Sequence, residues 1–405
     1  MNLFIDISLL KKNRHYALLY VGQFVSFIGT MITTVALPYQ VYQLTHSSLM
    51  VGLLSLVQLI PLLITALLGG VFADKYNRRS LVIMSEACLV IGCALLAINA
   101  YITQPSLTGI FVISSLMSAI TGLHRPALES MSQQLVLPGD YKALGVLVSF
   151  KYSFCMIVGP AIAGFIIAHL GIVVTYCIDL LTFAISITSL FLMKNPPKPV
   201  AANTSSALAA IKEGVQFAWK RQELLGSYCV DFIAMVFAMP NALFPAIAQS
   251  LGGAQTLGLL YAAPAVGSLL ISFVSGWTTR VKQHGKAIAI AAAFWGLTMV
   301  GFGLSTSLFW AFVFLALSGA FDAISGIFRS VLWNHSIPHD YRGRLAGIEM
   351  ISYLSGPRLG DSRAGVIASA AGITTAIVSG GFLCVAGVTL CCLCMPKFWR
   401  YQSDN

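Results

Sequence analysis

The sequence predicts an all-α membrane protein, with twelve transmembrane helices arranged as two pseudo-symmetric six-helix bundles. Three observations carry that prediction. Of 405 residues, 57% are hydrophobic and only 9% are charged, whereas about a quarter of a soluble domain is charged. Apolar runs recur twelve times, each near or above the roughly 20 residues that cross about 30 Å of hydrocarbon as a helix. Every Lys and Arg outside those runs falls in a connection of one parity, which is the positive-inside bias of a polytopic protein.

The spans are expected at 16–42, 50–72, 81–102, 107–126, 143–169, 172–193, 226–249, 256–278, 286–304, 308–332, 345–370 and 373–396. Lys11, Lys12 and Arg14 precede the first, and Lys75, Arg78 and Arg79 separate the second from the third. Lys142 precedes the fifth; Lys194, Lys198, Lys212, Lys220 and Arg221 lie between the sixth and seventh. Arg280, Lys282 and Lys286 sit around the start of the ninth, Arg342 and Arg344 before the eleventh, and Lys397 and Arg400 after the last. The opposite connections, around Thr45-His46-Ser47, Thr103-Gln104-Pro105, Leu170-Gly171, Ser250 to Gly253, Ser305 to Ser307 and Ala371-Gly372, carry no Lys or Arg. The expected topology is therefore multi-pass, with both termini cytoplasmic. The first run is too long for a cleaved signal, so the N-terminus is expected to stay attached.

A net charge of +10 is explained by this topology, because the cations are spread along one membrane face with no basic domain behind them; nucleic acid is excluded as a partner. The nine cysteines lie mainly inside the spans and read as small apolar filler. Cys391-Cys392-Leu393-Cys394 has no His or acid at ligand spacing, so no metal and no cofactor is expected.

Composition breaks once, at the Pro- and Ala-rich stretch from Lys194 to Ala210, which can neither continue one helix nor start another. The expected division is 1–193 as one bundle, 194–225 as a cytoplasmic linker containing a surface helix, and 226–405 as the second bundle. Sequence repeats support it. Gly52-Leu53-Leu54 and Gly70 recur at a constant offset as Gly258-Leu259-Leu260 and Gly276. At a second offset, Pro138-Gly139-Asp140-Tyr141-Lys142 and Gly159-Pro160 recur as Pro338-His339-Asp340-Tyr341-Arg342 and Gly356-Pro357. Repeated halves with a path between them are the common build of transporters.

The sharpest local pattern is Gly70-Val71-Phe72-Ala73-Asp74-Lys75-Tyr76-Asn77-Arg78-Arg79. Gly70 is expected to allow close helix contact, Asp74 to sit at a helix boundary, and Arg78 and Arg79 to reach carboxylates or helix C-termini of the neighbouring bundle. This resembles the signature loop of the major facilitator superfamily, where it latches the inner gate; Asn77 stands where that signature has glycine. Gly159-Pro160-Ala161-Ile162-Ala163-Gly164 resembles the Gly-Pro signature of exporters in the superfamily, and reads either as a gating bend or as one made for packing. Further stretches resemble the enterobactin (siderophore) exporter group and its multidrug-exporting relatives: Thr45-His46-Ser47-Ser48 with Val51-Gly52-Leu53, Gly258-Leu259-Leu260-Tyr261-Ala262-Ala263, and Gly343-Arg344-Leu345-Ala346-Gly347 with Gly356-Pro357-Arg358-Leu359-Gly360-Asp361. The likeness runs from about Leu9 to Gly365. It implies the major facilitator fold, in which the first, fourth, seventh and tenth helices line the path and the second, fifth, eighth and eleventh flank it.

Arg125, Lys151, Arg329, Arg358 and Arg363 fall within spans, and a charge at the bilayer centre costs about 2.5–3.5 kcal/mol on insertion scales. They need water, partners or cargo. Arg125, Lys151, Arg329 and Arg358, with Gln23 and Tyr261, form the expected substrate-binding set. Asp231 and Asp322 are the expected proton carriers: burial favours the neutral acid and a nearby cation the charged one, so an acid between the two can load and release a proton. Asp322 and Arg329 lie two turns apart on one helical face. A static ion pair is the alternative for each acid. Glu86 and Asp179 are assigned structural roles, Glu129 the mouth of the fourth helix, and His124 either packing or proton relay.

The expected function is a proton-coupled secondary exporter of a small organic molecule, an anionic siderophore, working by alternating access as a monomer in the lipid bilayer. The alternative is a multidrug/proton antiporter of the same fold. No His-Glu-x-x-His site, Gly-x-Ser-x-Gly elbow or phosphate loop is present, so no enzyme and no ATP-driven pump is expected.

Overall fold

A computed structural model describes residues 8–193, 213, 216–338 and 342–402; the side chains at 71, 74, 138, 342–344 and 346–348 stand outside that description. The linker and surface helix expected at 194–225 therefore fall largely outside the described residues. All regular structure among the described residues is helical. After a short helix Ser8–Lys12 come α1 (Arg14–Thr45), α2 (Ser48–Lys75), α3 (Arg78–Tyr101) and α4 (Leu107–Gln134). The unbroken stretch Tyr141–Phe191 is two helices meeting at Gly171, whose φ of 80° turns the chain back; they are α5 (141–170) and α6 (172–191). Only glycine adopts that backbone conformation without strain.

The later helices are α7 (Gln222–Leu251), α8 (Ala254–Phe273), α9 (His284–Leu304), α10 (Leu308–Ser336), α11 (Arg342–Ala371) and α12 (Ile373–Cys394). Two differ from expectation. α7 is not continuous: its regular part stops at Ala238, a 3₁₀ turn spans Asn241–Leu243, and a second piece runs Phe244–Leu251. Pro240 lacks the N–H and sterically displaces the preceding turn. α8 ends at Phe273, five residues early, and the chain tightens into a 3₁₀ helix at Ser275–Arg280.

Caps set several starts. Asn77 is extended (φ −64°, ψ 116°) and accepts from Ser80 N at 3.2 Å, opening α3. The position where the facilitator signature has glycine is thus a cap, with no left-handed turn to fill. Ser106 accepts from Gly109 N at 3.1 Å and opens α4. Such caps contribute about 1 kcal/mol each.

The chain groups into two compact units, Met1–Leu44 with Val57–Thr204, and Thr45–Leu56 with Ser205–Asn405. In the first, Leu19, Val82, Ala127, Met131 and Leu190 form one buried cluster, and Tyr20 donates to Leu147 O at 3.0 Å in another. Small residues bring helices together. A Cβ on Gly69 would meet Gly122 O at 2.8 Å, whereas one on Gly70 would meet nothing within 4 Å. The close contact expected of Gly70 belongs to its neighbour. In the second unit, α8 and α10 touch backbone to backbone, Gly267 against Ala316 O and Gly319 against Pro264 O.

Gly319→Val is therefore expected to cost about 3 kcal/mol or more, since neither carbonyl nor helix axis can move away cheaply. Gly139→Ala, at an open position, is the control. Thermal unfolding in detergent should show a large loss for the first and none for the second; equal melting would contradict this packing.

The chain's final described segment closes one end of the second unit. Phe398, 0% exposed, lies against Gly226 of α7, and the Phe398 carbonyl meets Gly285 of α9. Gln222 receives the Lys397 N–H at 2.8 Å, and Ser336 of α10 donates to the Tyr401 hydroxyl at 3.1 Å.

Candidate proton and substrate site

In the second unit, Arg329 of α10 forms an ion pair with Asp231 of α7, and its other terminal nitrogen stands 3.8 Å from Asp322. The sequence pairs Arg329 with Asp322 along one helix; in the fold its tighter partner comes from across the bundle. The side chains of Arg329 and Asp231 are each 13% exposed while that of Asp322 is 58% exposed. One cation thus sits between a sheltered acid and an open one. Both acids line a small cavity of about 20 Å³, with Met235, Trp295, Phe321 and Ser325, which is room for one water. Arg329 Nε is buried without a hydrogen-bond partner, and Glu349 of α11 acts on the guanidinium through space. Three acids compete for one guanidinium, so protonating any of them alters the hold of the others. Glu349 escaped the sequence reading; its position on a path-flanking helix is the signal that would have found it.

In the first unit, Lys151 of α5 lies over the Phe27 ring, 5.9 Å from its centroid, and within electrostatic reach of Arg125 and Glu129 of α4. Phe27 stacks on Tyr152 at 5.7 Å, and Phe24 packs against Phe154 at 5.4 Å. Lys151 thus lies on an aromatic surface, within the electrostatic reach of a second cation and an acid.

Gln23 is elsewhere. Only 5% exposed, it donates to Glu86 Oε1 at 2.5 Å and to Ser186 Oγ at 3.0 Å, so its amide is spent inside the unit. Tyr261 donates to Asn241 O at 3.3 Å and meets Phe244 edge-on at 5.0 Å, steadying the break in α7. Beside that break, Asp361 of α11, 8% exposed, accepts from Ala242 N at 2.9 Å and from Ser55 Oγ at 3.3 Å. The carboxylate holds the 3₁₀ turn between the two pieces of α7, supplying the partner that a broken helix needs inside a membrane. Arg358, one turn away, interacts with Asp361 through space. Sequence reading missed this role; Pro240-Asn241 inside an apolar run is the signal that free N–H groups need an acceptor.

Of the gating candidates, Arg78 binds Ala73 O at 3.2 Å and Gln134 Oε1 at 3.3 Å, and Arg79 binds Leu190 O at 2.8 Å and Phe191 O at 3.1 Å. These are the C-terminal ends of helices in their own unit, where a cation both fills unpaired carbonyls and meets the negative end of the helix dipole. Helix C-termini were among their expected partners, and these are the ends of α2 and α6. The Asp74 side chain lies outside the described residues. Gly159 and Pro160 are buried in α5, with Gly159 against Met31 of α1, a close packing contact.

An all-helical membrane fold with charged side chains set inside its apolar helices defines a transporter of the major facilitator class. Residues 9–403 match the transmembrane secretion effector family, and the chain belongs to it. It is 26% identical over 398 residues to an enterobactin exporter of Citrobacter koseri, covering 95% of this chain and 93% of that protein. An enterobactin exporter of Salmonella paratyphi A is 24% identical over 404 residues, with coverage of 99% and 97%. Among solved structures, a POT family transporter in complex with 5-aminolevulinic acid superposes with TM-score 0.74 at 12% identity, covering 95% of this chain and 97% of that one. The nucleoside transporter NupG superposes at 0.66 and 14%, covering 96% and 100%. The chain is a multi-pass membrane transporter of small molecules and not an enzyme.

Proposed function

We propose that this protein is a proton-coupled exporter of an anionic small organic molecule, a siderophore, working by alternating access in the bacterial inner membrane with both termini cytoplasmic. The observation that carries the coupling is Arg329 held between sheltered Asp231 and open Asp322 beside a water-sized cavity. When Asp322 takes a proton it releases its share of the guanidinium to Asp231; when it loses the proton it draws the guanidinium back. An alternating exchange of this kind converts proton occupancy into a change of contacts between α7 and α10. Arg125 and Lys151 supply the anion-binding charge, and the Phe27–Tyr152 surface supplies a face for a flat apolar part of the cargo. Gln23 and Tyr261, spent on other partners, drop out of the cargo set, and Arg358 serves Asp361. Asp74, Arg78, Arg79, Gly159 and Pro160 remain the gating set. The relatives named as enterobactin exporters support the direction and cargo class.

The test uses protein reconstituted in vesicles with an imposed proton gradient and an internal pH dye. A catecholate siderophore should collapse the gradient, with Asp322→Asn reducing the rate at least about tenfold. In iron-starved cells lacking the gene, secreted chelators should fall and intracellular ones rise. The same aromatic surface also suits lipophilic drugs; collapse by cationic dyes, with an unchanged chelator profile, would establish the multidrug antiporter instead.

A further inference from the structure

We infer that Glu86 and His124 form a second proton-binding site, within the first unit. Glu86 of α3 is 0% exposed. Its Oε1 receives Gln23 Nε2 at 2.5 Å from α1 and Ser186 Oγ at 3.0 Å from α6, and faces His124 Nε2 at 3.4 Å from α4. Its Oε2 is buried with no hydrogen-bond partner. Gln23 and Ser186 are neutral, and among the described residues no Lys or Arg lies within ion-pair distance of Glu86. Among the described residues, the titratable group that meets it is His124.

A bare carboxylate in this place would carry a desolvation cost of several kcal/mol, which two hydrogen bonds from neutral donors offset only in part. Neutrality requires one proton, held either on the carboxyl, where Oε2 is the unengaged oxygen, or on the imidazole as an imidazolium paired with the carboxylate. The pair therefore binds one proton wherever it resides. His124 is the more accessible end, 12% exposed against 0% for Glu86, and it precedes Arg125 on a path-lining helix, so the proton enters and leaves through the imidazole. The ligand is a proton, and the site is separate from Asp231, Asp322 and Arg329. Its use in transport rests on the coupled-exporter reading, but its existence does not.

Infrared spectroscopy of the full-length protein in detergent near neutral pH tests this with protons alone as the probe. His124→Gln forces the proton onto the carboxyl, so that variant should show a deuterium-sensitive carboxylic-acid band absent from the Glu86→Gln/His124→Gln double variant. Superimposable spectra would overturn the proposal. If His124→Gln fails to fold, Glu86→Gln in protein carrying nitrogen-labelled histidine provides the second arm. Loss of one imidazolium signal, or of one carboxylic band, relative to wild type supports the pair, and loss of neither overturns it. Failure here with intact proton-driven efflux removes this site alone; a proton held here without any efflux removes the transport reading alone.

Discussion

Arg329→Gln is expected to abolish proton-driven efflux and to destabilise the protein by about 3–5 kcal/mol, the usual consequence of leaving a buried charge without its partner. The stranded group is Asp231, as sheltered as the guanidinium that it pairs with. Asp231→Asn should be similarly costly, because Arg329 then keeps only Asp322 at 3.8 Å and Glu349 at longer range. The double variant Asp231→Asn/Arg329→Gln removes both charges together and should recover most of the stability while transporting nothing. Thermal unfolding in detergent and gradient collapse in vesicles separate the two quantities. A double variant no more stable than either single one would mean that the pair is not the energetic unit proposed. Recovery of efflux along with stability would mean that the charges serve folding alone.

Asp361→Ala should produce the next largest loss, about 2–4 kcal/mol from two lost hydrogen bonds and one buried N–H left open. Asp361→Asn keeps an acceptor oxygen for Ala242 N and should retain most of the stability. If Asp361→Ala and Asp361→Asn melt alike, the carboxylate is not the support for the 3₁₀ turn that the geometry describes. The effect should be confined to the second piece of α7 and the adjoining turn of α11, because Tyr261 still steadies Asn241 from α8.

The membrane architecture was legible because lipid imposes it residue by residue: run length and cation parity both survive in a linear string. The identity of the charges within the spans was legible for the same reason, since an Arg or Asp in an apolar run stands out wherever it points. Direction was not. The close contact expected of Gly70 belongs to Gly69, because adjacent residues point about 100° apart around a helix and of these two only Gly69 faces a neighbour. The same limitation placed Gln23 with the cargo contacts, although its amide turns to α3 and α6. It paired Arg329 with Asp322, which stands 3.8 Å away, but left out Asp231 from across the bundle. Partners on other helices depend on how each cylinder is rotated, which periodicity in a uniformly apolar run does not record. The interruption of α7 was visible as Pro240-Asn241, but apolar residues on both sides concealed that the span is two pieces.

The break in α7 offers a natural gauge of motion. Most amides in these helices are locked in a ladder whose opening needs cooperative unwinding, so they exchange with solvent deuterium slowly and say little about small movements. The amide of Ala242 is held instead by one carboxylate from another helix. Its exchange rate follows the residence of that single side chain, and a mass-spectrometric record of this peptide would time the separation of α7 from α11 while the tightly sutured α8–α10 pair stays silent.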